Sequence, residues 1–161
     1  MTTHQTPYSA DLGTREPIRA MRETAGRIRA LTASWSTDQF ERSYAPGKWS
    51  ARLILTHLAQ AELAFGNRIR MALSAPNYVA QSFDQDAWIA RESRTAGADA
   101  AEAFTALSRL NVVLFESLSP ADRQTTLSHP EFGALTVDWI IHQMAGHQIH
   151  HLVQLEQIET R

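Results

Sequence analysis

Residues 142–152 read HQMAGHQIHHL, which sets His142, His147, His150 and His151 into an otherwise apolar helical pattern. The surrounding register is unambiguous: Val137, Ile140 and Met144 step by three and four, and Ile158 falls on the same line downstream. That spacing is the seam of an amphipathic helix facing a bundle interior. Continued by the same steps, the seam passes through His147 and His151. His150 lies beside it, and His142 falls on the opposite, solvated face.

Working outward, the remaining periodicity is helical as well. A helix is predicted over 16–34, with Pro17 in a first-turn position where its missing N–H costs little and Ile18, Met21, Ala25 and Ile28 on its seam. A second is predicted from about Ser50 to Ser74, with Ile54, Leu58, Ala61 and Phe65 facing inward. A third spans about 97–118, with Phe104, Leu107, Leu114 and Leu118 on one face and Asn111 on that same line. The last begins at Thr136, a plausible N-cap, and ends near Glu159. Residues 75–96 read as a connection that holds at most a short helix. Residues 119–135 read as a loop broken by Pro120, Pro130 and Gly133. No convincing strand appears. The expected fold is all-α, a single four-helix-bundle domain over 1–161 with 1–14 as a flexible arm.

His57 lies one residue before Leu58, three after Ile54 and four before Ala61, so it borders the inward face of the second helix. Two helices thus direct three imidazoles at one interior. A lone inward histidine is ordinarily a core residue with a satisfied hydrogen bond. Two at i and i+4 lie one above the other, about 5–6 Å apart at Cβ. Leaving a buried imidazole nitrogen unpaired costs about 1–3 kcal/mol, and a shared ion satisfies one nitrogen from each ring. His57, His147 and His151 are therefore the expected metal ligands. Three neutral nitrogens leave a coordination position for water or substrate, as in catalytic zinc sites. Imidazole suits Zn, Ni, Cu and Fe alike. Zn2+ or Ni2+ is expected, with Fe2+ and Mn2+ as alternatives.

Composition narrows the remainder. Cysteine is absent, which removes disulfides, thiolate ligands and a cysteine nucleophile, so any thiol must arrive with the substrate. The formal net charge of −2 gives no electrostatic case for nucleic acid or an anionic membrane. There is no apolar run long enough to span a bilayer and no signal-peptide pattern at the N-terminus, so a cytoplasmic location is expected. HQIHH has the histidine spacing of a zinc-protease helix, but Gln148 stands where the catalytic Glu belongs. Paired Glu-x-x-His motifs for a di-iron site are missing. Glu62, five residues after His57, lies about 140° around the helix from it and is a doubtful partner. Lys48, Arg52 and Arg68 are candidate contacts for an anionic substrate or thiol, though Arg52, near the start of the second helix, reads as simply exposed; Asp84, Asp86 and Trp88 read first as solvated or packing residues and only second as the mouth of a pocket. His129 reads as a loop residue and His4 as part of the arm; neither enters the site.

Three segments, PGKWSARLILTHLAQAE (46–62), HPEFGALTVDWI (129–140) and HQIHHLVQLEQI (147–158), together resemble the DinB/YfiT-like superfamily. The resemblance implies a down-up-up-down bundle, which the long 75–96 connection permits, and a homodimer. It also implies a divalent metal on His57, His147 and His151. His150 then matches a histidine beside the ligands, and Gln154 a supporting hydrogen bonder behind them; Asn111 is a further candidate for such support from the third helix. Two enzyme chemistries follow. In the leading one, a low-molecular-weight thiol cosubstrate binds the metal, loses its proton and attacks a small electrophile in S-transfer. In the alternative, the metal lowers the pKa of a bound water and drives hydrolysis. A non-catalytic metal-binding stress-response module is the third reading. The expected partner is a small molecule, with no nucleic acid and no membrane.

Overall fold

A computed structural model describes residues 5–160. Four long helices carry the architecture: α2 (Pro17–Thr32), α4 (Ala51–Ser74), α6 (Gly97–Ser117) and α8 (Val137–Glu159). Short helices α1 (Ser9–Leu12), α3 (Thr37–Phe40), α5 (Gln85–Arg91) and α7 (Pro120–Arg123) lie in the connections, and β1 (Thr126–His129) pairs antiparallel with β2 (Gly133–Thr136).

The helix starts follow from side chains that satisfy orphan backbone donors. Glu16 accepts from the Ile18 and Arg19 amides ahead of Pro17, Ser50 from the Leu53 amide, and Thr136 from the Trp139 amide. The Thr136 cap agrees with the sequence reading.

Pair contacts fix the direction of each helix. Arg52, at the start of α4, donates to the Ser93 carbonyl just before α6, and Asn111 in α6 reaches Glu62 in mid-α4, so these two helices run parallel. Arg27 pairs with Glu156 and Trp35 with Glu159, so α2 and α8 also run together. Arg22 pairs with Glu116 near the end of α6, while Gly97 at its start packs on Phe40 beyond the end of α2, so α2 opposes α6. The order is down-up-up-down, as the resemblance implied.

The interior divides into two apolar clusters. One gathers Met21, Ile69, Phe115, Val137, Ile140 and Met144; the other gathers Ile28, Ile54, Leu58, Phe104, Leu155 and Ile158. Along α4, α6 and α8 the clusters are separated by buried polar side chains, among them His57, Glu62, Asn111, His147, Gln148 and His151. Burying this many polar groups between two apolar layers is costly unless each is paired.

Three expectations are corrected. Residues 5–14 are not a free arm: Thr6 and Leu12 are buried and α1 packs against α8. Gly146 permits this approach, since a Cβ there would stand 2.4 Å from the Tyr8 carbonyl oxygen. Residues 1–4, including His4, lie outside the described residues. The 119–135 loop is instead α7 followed by the β1–β2 hairpin, with Gly133 in the left-handed region (φ 71°) at its turn. On α6, Ser108 and Phe115 are buried more deeply than Leu107, Leu114 and Leu118. The 75–96 connection does contain one short helix, α5, capped by Asp84.

Candidate metal centre

His147 and His151 project from α8 and His57 from α4 into the polar layer, and all three are buried. The His147 Nε2 lies 2.9 Å from the His57 Nε2 and 3.0 Å from the His151 Nε2. Among the described residues, this is the one group of three or more ligand-type side chains close enough to share an ion.

Hydrogen bonding behind the rings decides which nitrogens carry lone pairs. The His151 Nδ1–H donates to the Gln154 Oε1 at 2.7 Å, so in the neutral ring Nε2 is bare and faces the cluster. His57 Nδ1 is buried without a partner. Burial pushes the His57 imidazole down to about 4, against the opposing influence of Asp86. Burial, then the neighbouring His57, takes His151 down to about 3. Burial also takes His147 well below the ordinary histidine value, with His151 and His57 adding to the effect. The rings are neutral at ordinary pH.

That donor set fits a divalent ion. Around a tetrahedral Zn2+ with Zn–N near 2.0–2.1 Å, neighbouring nitrogens sit about 3.3 Å apart. The two separations that the His147 Nε2 makes, 2.9 and 3.0 Å, are within a few tenths of an ångström of this value.

Aromatic rings wall the histidines in. Trp49 lies 5.1 Å from the His57 ring, and Tyr8 lies 5.1 Å from His147 and 5.2 Å from His150. His57 and His147 open onto a cavity of about 210 Å³ whose wall includes Tyr8, Arg68, His129, Glu131 and Gln143.

The supporting residues divide. Gln154 stands directly behind His151, and its Nε2 lies 3.1 Å from the His150 Nε2, which joins the predicted pair into one chain. Asn111 serves a different cluster. Its Nδ2 donates to Glu62 Oε2 at 2.7 Å, while its Oδ1 accepts from Arg70 at 2.7 Å. Gln148 donates to the other Glu62 oxygen at 2.6 Å. Burial pushes Glu62 up to about 7, and these two hydrogen bonds oppose that rise. Glu62 is therefore buried but turned from the histidines, in keeping with the 140° offset.

His142 is half-buried rather than solvated and lies beside Asp138. Asp84 caps α5, and with Trp88 it borders an adjoining cavity of about 500 Å³ that shares Arg68, Ser82 and Phe83 with the first. Arg52 pairs with Glu41 at 2.6 Å. The sequence reading missed Tyr8, Trp49, Glu131 and Gln143. Gln143 precedes His147 by one helical turn, and that spacing was the available signal. Tyr8 and Glu131 arrive through tertiary packing alone.

Residues 20–155 match the profile of the DinB superfamily. A protein of Oceanobacillus iheyensis is 27% identical over 127 residues, covering 78% of this chain and 74% of that protein. YfiT of Bacillus subtilis is 20% identical over 149 residues, covering 89% and 83% respectively. Both carry the name "Putative metal-dependent hydrolase". A solved structure of Bacillus subtilis YfiT superposes with a TM-score of 0.81 at 19% identity, covering 90% of this chain and 85% of that one. Its description notes an unusual four-helix bundle topology, which the helix directions above share.

Proposed function

The chain belongs to the DinB superfamily, and from that premise we propose that it is a divalent-metal-dependent hydrolase of small molecules, with His57, His147 and His151 as the ligands. The observation that carries this reading is the convergence of three neutral imidazole nitrogens at 2.9 and 3.0 Å beside a small cavity. A divalent metal held there supplies Lewis acidity and makes water a usable nucleophile near neutral pH.

The chain's own residues supply the rest. Gln154 fixes the His151 tautomer and ring orientation, so that Nε2 stays free of a proton. Trp49 packs against His57 and Tyr8 against His147, which restricts the movement of both imidazoles. Among the described residues, Glu131 is the one carboxylate on the cavity wall. The role proposed for it is to accept a proton from the attacking nucleophile and return it to the leaving group.

The thiol S-transfer expected from the sequence uses the same three ligands. The hydrolase names among the relatives move the lead to hydrolysis. The deciding experiment incubates zinc-loaded protein with a panel of small esters and amides, with and without added thiol. Turnover without thiol that is lost in His147→Ala supports the hydrolase. Turnover that requires thiol returns the lead to transfer, and no turnover in either arm leaves the non-catalytic module.

A further inference from the structure

Among the described residues, Arg68 is the single cation on the cavity wall, and it is only 7% exposed. Its guanidinium carbon sits 5.1 Å from the Phe65 ring centroid and 5.8 Å from that of Phe83, so aromatic faces hold it in position. Nη2 donates to the Gln81 carbonyl at 2.6 Å. A guanidinium has five N–H donors, so one such bond leaves most of its hydrogen-bonding capacity free. Among the described residues it forms no salt bridge, although Glu131 shares the cavity. A buried charge is normally paired; Glu131 acts on Arg68 electrostatically but forms no salt bridge with it, so the guanidinium has no carboxylate in direct contact.

Two further groups on the same wall point to a ligand. The His129 Nδ1 accepts the Glu131 amide at 3.1 Å, which places the proton of the neutral ring on Nε2 and makes it a donor. Gln143 is 7% exposed, and its Oε1 is buried with no hydrogen-bond partner among the described residues.

We infer that this cavity takes a small molecule bearing a carboxylate, held by Arg68 and His129, with Gln143 accepting a hydrogen bond from the remainder of the molecule. The planar guanidinium matches a carboxylate edge to edge. One cation with an acidic neighbour suits a singly charged carboxylate better than a doubly charged phosphate. At about 210 Å³ the space is below the roughly 300–1,000 Å³ of drug-sized ligand sites, so a molecule of few carbons fits. The inference rests on the hydrolase reading only for what happens to the molecule once bound.

The test is calorimetric titration of zinc-loaded protein with butyrate, with the neutral 2-pentanone of similar shape, and with methyl phosphate. Butyrate is expected to bind with a millimolar constant, about tenfold or more tighter than 2-pentanone. Arg68→Met should remove that advantage, and Arg68→Lys should retain it within a few-fold. Equal binding of butyrate and 2-pentanone overturns the inference, as does unchanged butyrate affinity in Arg68→Met or tighter binding of methyl phosphate. Should Arg68→Met fail to fold, the two ligands on wild-type protein decide. Arg68-dependent butyrate binding without ester hydrolysis removes the hydrolase reading alone. Hydrolysis with butyrate binding indifferent to Arg68 removes this inference alone.

Discussion

The Gln154 Oε1 accepts a 2.7 Å hydrogen bond from His151 Nδ1, three residues away on the same helix, and thereby turns the lone pair on Nε2 toward His147. A ring held in one tautomer binds a metal better than one that must first reorient. Gln154→Leu should weaken metal affinity about 10–100-fold while leaving the fold intact. Competition with a coloured chelator measures it. Unchanged affinity would mean that packing alone orients His151.

The depressed imidazoles set the pH behaviour. With folded pKa values of about 4 for His57 and about 3 for His151, protons do not compete for these nitrogens until well below the ordinary histidine range. Metal affinity should stay nearly flat from about pH 7.5 to 5.5 and fall only nearer 4. Metal-free stability behaves differently, because the unfolded rings titrate near 6.5. Between the two values the unfolded chain binds more protons, so the histidine contribution is complete above 6.5 and is lost as pH falls toward 4. Urea midpoints of metal-free protein across this range provide the check.

Glu62 acts in the opposite sense. Its folded pKa of about 7 stands above the unfolded 4.5, so its favourable contribution is complete below 4.5 and is lost as pH rises through 7. Glu62→Gln removes this ionisation. The variant should gain on wild type by on the order of 2–3 kcal/mol between pH 5 and 8. The unpartnered Gln148 Oε1 offers an acceptor for the new amide. A stability difference that does not vary with pH would show that Glu62 is ionised in the fold throughout.

Gly146 is where α1 closes on α8. A Cβ there meets the Tyr8 carbonyl oxygen at 2.4 Å and the Tyr8 Cβ at 2.7 Å, and backbone on one side leaves little room to yield. Gly146→Ala should displace Tyr8 from His147 and cost about 1–3 kcal/mol. Chymotrypsin cleavage after Tyr8 should accelerate in the variant; wild-type resistance to cleavage would contradict the displacement.

The fold was legible because the long helices repeat their apolar residues at helical spacing, and because Ser50, Thr136 and Pro17 mark starts that the backbone uses. The histidine convergence was legible for the same reason: Val137, Ile140 and Met144 fix a register that carries His147 and His151 inward. The packing of α1 was not, since it depends on Gly146 meeting Tyr8 across the bundle, and neither residue announces the other. The hairpin was missed because Pro130 and Gly133 read as loop punctuation, whereas Leu127 and Leu135 pair across the two strands and are both buried. Asn111 was placed on the correct face, but only tertiary structure showed that it binds Glu62 and not a histidine.

Everything proposed for this site depends on His57, His147 and His151 holding a metal. The direct measurement is metal content by inductively coupled plasma mass spectrometry on protein purified without a histidine tag, with His151→Ala in parallel. Near-stoichiometric divalent metal is expected in the wild type and its loss in the variant, with helical circular dichroism retained in both. A wild type that stays metal-free after reconstitution with Zn2+ or Ni2+, or a variant that keeps full occupancy, would contradict it.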